Sequence, residues 1–218
     1  TTEIYTLSLH DALPIYADAG IRFVKTKTTS QAWDAKITSI IENGPWNYTA
    51  VYAPPSVVQQ EASYNFALPS VNFTYLFTND LQLRVGAAKT MARPSVDKLA
   101  PTNTTASISW GEFSQIFGGN AELKPYSARQ ADVSLEWYYA KDSALSFAVY
   151  QKNIKNQITT QYLTGQDIGV PGRLFNVSRP INGDKATARG FEIGLQHLWS
   201  NGFGVRAQYT RKIGRAHV

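Results

Sequence analysis

The residue types that carry out most enzymatic chemistry are scarce in this sequence. Cysteine is absent, which excludes disulfides, thiolate catalysis and cysteine-ligated zinc. Of the three histidines, His197 lies within an alternating segment, whereas His10 and His217 lie near the chain ends. A catalytic base needs a positioned partner, and no phosphate loop, calcium loop or pair of catalytic carboxylates occurs in the sequence. We therefore expect no enzymatic activity, no cofactor and no metal site.

Aromatic side chains are more informative, because they make up 12% of the residues while charged residues make up only 17%. Aromatic faces suit the binding of sugars and flat chelates, although packing within a loop is the alternative role. The candidate ligand-binding residues, all in long polar stretches, are Trp46, Tyr48, Tyr52, Trp110, Phe113 and Phe117. The formal charge of +5 is not concentrated in a basic run, so no nucleic-acid partner is expected.

The two chain ends match translated sequencing adapters. Residues 1–15, TTEIYTLSLHDALPI, agree at every position with the translation of a common short-read adapter, and residues 212–218, KIGRAHV, agree with the opposite adapter. Segments foreign to the gene are set aside before the fold is considered. We therefore expect a native insert at residues 16–211, taken from a longer gene, between two artefactual peptides that pack poorly.

Six segments alternate apolar and polar residues with a period of two, as strands with two different faces do. In residues 131–139, Val133, Leu135 and Trp137 share one face, and Asp132 and Glu136 share the other. The other alternating segments are residues 71–77, 81–88, 145–150, 191–199 and 203–210, and a less regular strand is predicted at about 19–33. The sequence therefore predicts an all-β, antiparallel fold.

The connections between these segments alternate between short and long. Tight turns are predicted at residues 78–80, 140–144 and 200–202, and long polar stretches at about 34–64, 92–128 and 161–185. Transmembrane barrels have short turns at one end, long loops at the other, and strands that are apolar outside and polar inside. We therefore predict an incomplete transmembrane β-barrel, with a soluble all-β binding module as the less favoured alternative.

Large aromatic residues recur beside each predicted turn on the apolar face, where rings prefer the level of the lipid headgroups. The predicted aromatic girdle is Tyr75, Phe77, Trp137, Tyr139, Trp199 and Phe203. His197 shares this face and is interpreted as an interfacial side chain. On the opposite face, the residues predicted to meet either lumen water or a plug are Arg84, Glu136, Glu192 and Arg206.

Five stretches, in order, resemble the TonB-dependent outer-membrane receptors of Gram-negative bacteria. They are LPSVNF at 68–73, LRVGAAKTMARPS at 83–95, GNAELKP at 119–125, the segment 147–158 and ARGFEIG at 188–194. The resemblance implies a barrel of about 22 strands with an N-terminal plug. It also implies import of a scarce ligand, such as a siderophore or carbohydrate, with energy supplied through TonB.

The partners implied by this resemblance are outer-membrane lipid, the receptor's own plug domain, the TonB complex and a small-molecule ligand. No plug and no TonB-contacting segment can be recognised in residues 16–211, so we expect this function of the longer receptor and not of the piece alone. A passive porin-type barrel is the alternative function.

The adapter interpretation predicts what the source DNA encodes. Long-read sequencing through both ends should show a reading frame that continues upstream of Tyr16 into a plug domain, and downstream of Arg211 into further strands. A genome that itself encodes TTEIYTLSLHDALPI and KIGRAHV would contradict the interpretation.

Overall fold

The computed structural model describes residues 2–9, 14–108 and 114–216, and these consist largely of strands. The strands are β1 (Thr2–Leu9), β2 (Ile15–Asp34), β3 (Ile37–Gly44), β4 (Asn47–Tyr52), β5 (Ser56–Leu76), β6 (Leu81–Ala92), β7 (Asn103–Ser107), β8 (Ser114–Gly118), β9 (Tyr126–Ala140), β10 (Ser143–Lys155), β11 (Ile158–Gln166), β12 (Phe175–Asn182), β13 (Ala186–Leu198) and β14 (Gly204–Ala216). A 3-10 turn covers Val96–Leu99. None of the described residues forms a helix long and apolar enough to cross a membrane.

Eight strands form one sheet in the order β1-β2-β5-β6-β9-β10-β13-β14, and every neighbouring pair is antiparallel. Seven of them are strands that the sequence predicts, although β5 begins at Ser56, inside the stretch 34–64 that was predicted to be a polar loop. The tight turns between β5 and β6, β9 and β10, and β13 and β14 are confirmed at one end of the sheet. Within the described residues β14 does not pair with β1, so the wall is an open portion of a barrel.

The two end peptides extend the sheet at its edges. β1 pairs with β2 from Thr2↔Val24 to Leu9↔Ala17, and the last part of β14 pairs with β13 as far as Ala216. Residues 211–214 are exposed. The expected poor packing of residues 1–15 and 212–218 stays a prediction.

The register aligns the apolar side chains of all central strands on one face. Leu83 lies opposite Leu135, Leu135 opposite Phe147, Phe147 opposite Ile193, and Ile193 opposite Tyr209. A slip by one residue would turn a whole strand's apolar side chains to the other face. The aligned side chains are nevertheless exposed, since Phe147 keeps 45% of its surface accessible. An apolar face of this kind is suited to lipid and not to water.

On the polar face, two strands approach closely at a glycine. Gly190 lies opposite Tyr150, and a Cβ on Gly190 would stand 2.8 Å from the Tyr150 Oη and would collide with the carbonyl oxygen of Arg211. Glycine is the residue that permits such an approach of ring and backbone. This explains the first of the two glycines in the ARGFEIG stretch.

The long connections contain strands of their own, which the expectation of polar loops did not include. β3 and β4 form a hairpin in the first connection, while β7, β8, β11 and β12 from the second and third form a four-stranded sheet. Within that sheet β12 runs parallel to β8, from Phe175↔Ser114 to Ser178↔Phe117. Parallel pairing of such distant segments leaves no local signal in the sequence.

The GNAELKP stretch joins this loop sheet to the wall. Ala121, Leu123 and Pro125 are buried. The Asn182 side chain accepts a hydrogen bond from the Lys124 backbone N–H at 2.8 Å and donates one to the Lys124 carbonyl at 2.9 Å. Both backbone polar groups of Lys124 are thereby satisfied where the chain enters β9.

A cluster of buried apolar residues lies among the long connections, whereas Val24 on β2 and Ala128 on β9 are buried within the wall. Ile116, Val170 and Phe175 are buried together. Ile37, Ile40 and Ile168 pack against them. Because these residues come from the first, second and third connections, one apolar cluster holds all three long connections together.

Truncation of the central residue of this cluster should loosen the connections selectively. Phe175 is fully buried, so Phe175→Ala should cost about 3–5 kcal/mol locally through lost burial and a new cavity. Hydrogen exchange in detergent micelles should show reduced protection in β8 and β12, with β9 and β10 unchanged.

The matched control is Phe203→Ala, because Phe203 is 74% exposed beside a turn at the far end of the wall. Unchanged protection in β8 and β12 of the Phe175→Ala variant would show that the connections do not depend on this core.

Candidate functional site

The residues of the predicted aromatic girdle lie at the turn end of the wall and contact one another within strands. The rings of Tyr75 and Phe77 meet edge to face with centroids 4.9 Å apart, and those of Trp137 and Tyr139 lie 5.3 Å apart. Phe203, beside the last turn, is largely exposed. Alternation places these side chains on the apolar face, and their role as a girdle at the lipid headgroups stays a prediction.

His197 connects two parts of this rim, which the sequence did not indicate. Its ring stacks on Tyr139 at 5.8 Å with an interplanar angle of 7°, and its Nδ1 lies 3.1 Å from the Tyr139 Oη. The Trp199 ring meets the imidazole edge to face, with centroids 4.6 Å apart. The polar atoms of His197 and Tyr139 therefore satisfy each other within an aromatic row, and this arrangement fits an interfacial role better than catalysis.

On the polar face, Glu136 is the centre of a hydrogen-bonded cluster. Its carboxylate lies 3.7 Å from the Arg84 Nε and accepts hydrogen bonds from Gln82 at 2.8 Å, Tyr138 at 2.7 Å and Ser134 at 3.4 Å. The structure thus brings together two of the four predicted lumen residues. Gln82, Ser134 and Tyr138 were missed, although their positions on the same strand faces were a usable signal.

The other two predicted lumen residues share the polar face but lie on other strands. Glu192 lies opposite Thr210 and Arg206 opposite Gln196, both in the β13–β14 pair. The polar face therefore carries charge at separated positions, with one compact network at β6 and β9.

The first long connection presents three of the candidate ligand-binding aromatics. Trp46 stands at the tip of the β3–β4 hairpin, with φ of 66° and 73% of its surface accessible. Tyr48 lies beneath the guanidinium of Arg173, whose Cζ is 5.0 Å from the ring centroid. Tyr52, opposite Ile37 near the base of the hairpin, is 44% exposed. The partnership with Arg173 joins the first and third connections and was not foreseen.

Phe117 lies elsewhere, on β8, and lines a cleft of about 290 Å³ with Lys98 and Arg179. Trp110 and Phe113 fall outside the described residues. The candidates therefore occupy at least two places in the loop assembly, and at each of them an arginine accompanies the aromatic ring. Among the described residues no group of histidine and carboxylate side chains could hold a metal ion.

These features define a class of protein: a transmembrane β-barrel wall that is apolar outside and polar inside, with structured loops at one end. A family model described as TonB dependent receptor-like, beta-barrel, matches residues 3–216. The chain therefore belongs to the TonB-dependent receptor β-barrel family.

Solved structures of receptors and transporters share the fold. A hemophore receptor from Serratia marcescens, HasR, solved with its hemophore and heme, superposes with a TM-score of 0.66 at 15% identity over 99% of this chain and 34% of its own. The copper transporter OprC gives 0.60 at 15% identity, over 98% of this chain and 28% of its own. The ferric enterobactin receptor PfeA of Pseudomonas aeruginosa gives 0.56 at 15% identity, over 97% and 35%.

The chain thus spans about a third of the length of these solved proteins. A search among curated proteins finds no match. At these identities the structural likeness supports the fold alone, and the family assignment depends on the family model.

The Arg84–Glu136 pair should be energetically coupled, but weakly, because the Arg84 side chain is 54% exposed. A double-mutant cycle of Arg84→Gln and Glu136→Gln, followed by urea unfolding in micelles, should give a coupling free energy of about 0.2–1 kcal/mol. Arg206→Gln combined with Glu136→Gln is the uncoupled control. A coupling free energy indistinguishable from this control would mean that the ion pair adds nothing to the hydrogen bonds of Glu136.

Proposed function

We propose that this chain is the loop-bearing part of an outer-membrane receptor that captures a scarce small molecule and passes it inward under TonB control. The observation that carries the proposal is the shared core of Ile116, Val170 and Phe175, which joins three connections into one assembly at one end of the wall. Loops that bind a ligand from dilute solution benefit from being preorganised, because less ordering is then needed on binding.

The chemistry of the loop assembly favours an anionic, flat or chelated ligand. Arg173 lies over Tyr48. Arg179 and Lys98 share a cleft with Phe117, and their two positive charges outnumber the one carboxylate there, that of Asp97. Aromatic faces bind planar groups and guanidinium groups bind carboxylates or phenolates. A ferric siderophore or heme combines both properties, so it fits better than a neutral carbohydrate.

The lumen residues have a separate role in the proposal. Arg84, Glu136, Glu192 and Arg206 would form polar contacts with a plug domain in the complete receptor. Opening of the lumen would then require exchange of such contacts, which is where energy from the TonB complex would act.

Residues 16–211 would accordingly be part of a longer gene product that also encodes the plug and the TonB-contacting segment, and residues 1–15 and 212–218 would derive from adapters. The chain covers only about a third of the length of the solved relatives, which supports its origin from a longer gene product. The place of action would be the outer membrane of a Gram-negative bacterium, with the long connections outside the cell.

Ligand capture is tested on the complete receptor that contains residues 16–211, by titrating it in micelles with heme, ferric enterobactin and Cu²⁺ and following tryptophan fluorescence. We expect saturable quenching by heme or ferric enterobactin. Tyr48→Ala or Arg173→Gln should raise the Kd about tenfold, because each variant removes one partner of the cation–π contact that would hold the ligand. Tyr209→Ala, on the outer face of the wall, is the control and should leave Kd unchanged.

Quenching that does not saturate, or that all variants share, would contradict capture at this assembly. The coupling part is tested separately in cells, by uptake of the bound probe through the complete receptor with and without TonB. Equal uptake in both strains would favour the passive porin-type alternative.

A further inference from the structure

The outward face of the wall carries a groove of about 630 Å³ near the loop end of β9, β10, β13 and β14. Its apolar lining includes Val133, Val149 and Phe191, which alternation places on the lipid-facing side. Arg189 and Arg211 line the same groove on the same face. An apolar floor and two guanidinium groups therefore occur together on a surface that is otherwise suited to hydrocarbon.

The position of these arginines along the strands corresponds to a membrane boundary. Arg189 lies ten residues from Trp199 (199 − 189), and Arg129 on β9 lies ten residues from Tyr139 (139 − 129). At about 3.3 Å per residue and a tilt of about 40°, ten residues rise roughly 25 Å along the membrane normal. This equals the apolar band of about 25 Å found on such barrels. If the aromatic rim lies at one headgroup level, the arginines lie at the other.

The arginines at the loop end of the wall, here called the cationic rim, are available for a ligand. Arg129, Arg189 and Arg211 are exposed. The ion pairs found among the described residues are Lys27–Glu61 and Arg84–Glu136, so none of the three arginines forms one there. Asp132 also lines the groove, but alternation places its side chain on the polar face. Phe191 lines the groove, and its ring contacts those of Tyr209 and Phe147 beside the groove, with centroids 5.9 and 6.3 Å away.

We propose that this groove is a binding site for an anionic lipid of the loop-side leaflet, with the headgroup phosphate between Arg189 and Arg211 and an acyl chain along Val133, Val149 and Phe191. Guanidinium groups match phosphate oxygens in a bidentate manner. The ligand is a lipid and not a free anion, because the charges adjoin an apolar floor that only an acyl chain would cover. Ile213 also lines the groove but lies in residues 212–218, so the site is assigned without it.

The site is tested by native mass spectrometry of the full chain in micelles, with phosphatidylglycerol and phosphatidylcholine of identical acyl chains as probes. The chain should retain phosphatidylglycerol in preference to phosphatidylcholine. The variant Arg189→Gln/Arg211→Gln should lower the affinity for phosphatidylglycerol about 30-fold, as expected for two basic residues near a lipid surface. Inorganic phosphate up to millimolar concentration should not displace the lipid.

The matched control is Arg22→Gln/Arg206→Gln, which removes two positive charges from the polar face and should keep the preference. Circular dichroism checks that both variants retain their β structure. If the glutamine variant at the groove does not fold, Arg189→Lys/Arg211→Lys keeps the charges but loses the bidentate geometry, and it should still weaken binding measurably.

Three results would overturn the proposal. The two glutamine variants could lose lipid equally, which would indicate nonspecific attraction to net charge. The chain could retain both lipids equally, which would leave the arginines without a role. Inorganic phosphate could displace the lipid, which would indicate a simple anion site. None of these results bears on ligand capture by the loops, which lies at a different place on the chain.

Discussion

The interior of a lipid bilayer offers no partner for a backbone N–H or C=O, and the rest of this structure depends on that constraint. Every central strand of the wall satisfies these groups by antiparallel pairing with two neighbours. Pairing fixes the register, and the register sends alternate side chains outward. Leu83, Leu135, Phe147 and Ile193 consequently form one apolar row over four strands. In water such an exposed apolar row would promote aggregation, whereas in lipid it stabilises the wall.

The same constraint explains where the buried core lies. The wall strands need no apolar cluster on their polar face, which instead carries the Glu136 network. Beyond the bilayer, the long connections are surrounded by water and must bury apolar surface among themselves. Phe175, Val170 and Ile116 do so. Apolar side chains thus face outward along the wall and inward among the long connections. The GNAELKP stretch lies where these two regions meet, and there the Asn182 side chain hydrogen-bonds the backbone of Lys124.

The two ends of the apolar band on the wall carry different chemistry. At the turn end, His197 stacks on Tyr139 and meets Trp199 edge to face, so the row combines apolar rings with polar atoms. At the loop end, Arg129, Arg189 and Arg211 provide charge instead. An aromatic rim positions a barrel by partitioning alone, while a cationic rim can also select among headgroups. This asymmetry is consistent with two leaflets of different composition.

The sequence by itself determined the wall, because a strand that separates lipid from lumen must alternate, and alternation is local. The strand positions, the tight turns, the outward rings and the polar face that carries Arg84 and Glu136 could all be predicted in this way. Tertiary structure alone decided the arrangement of the long connections, where the parallel pairing of β12 with β8 joins residues about sixty positions apart. It also decided that Arg173 lies over Tyr48, that His197 links Tyr139 to Trp199, and that Arg189 and Arg211 line one groove. Those contacts depend on which segments become neighbours in space, and periodicity within one segment carries no information about its neighbours.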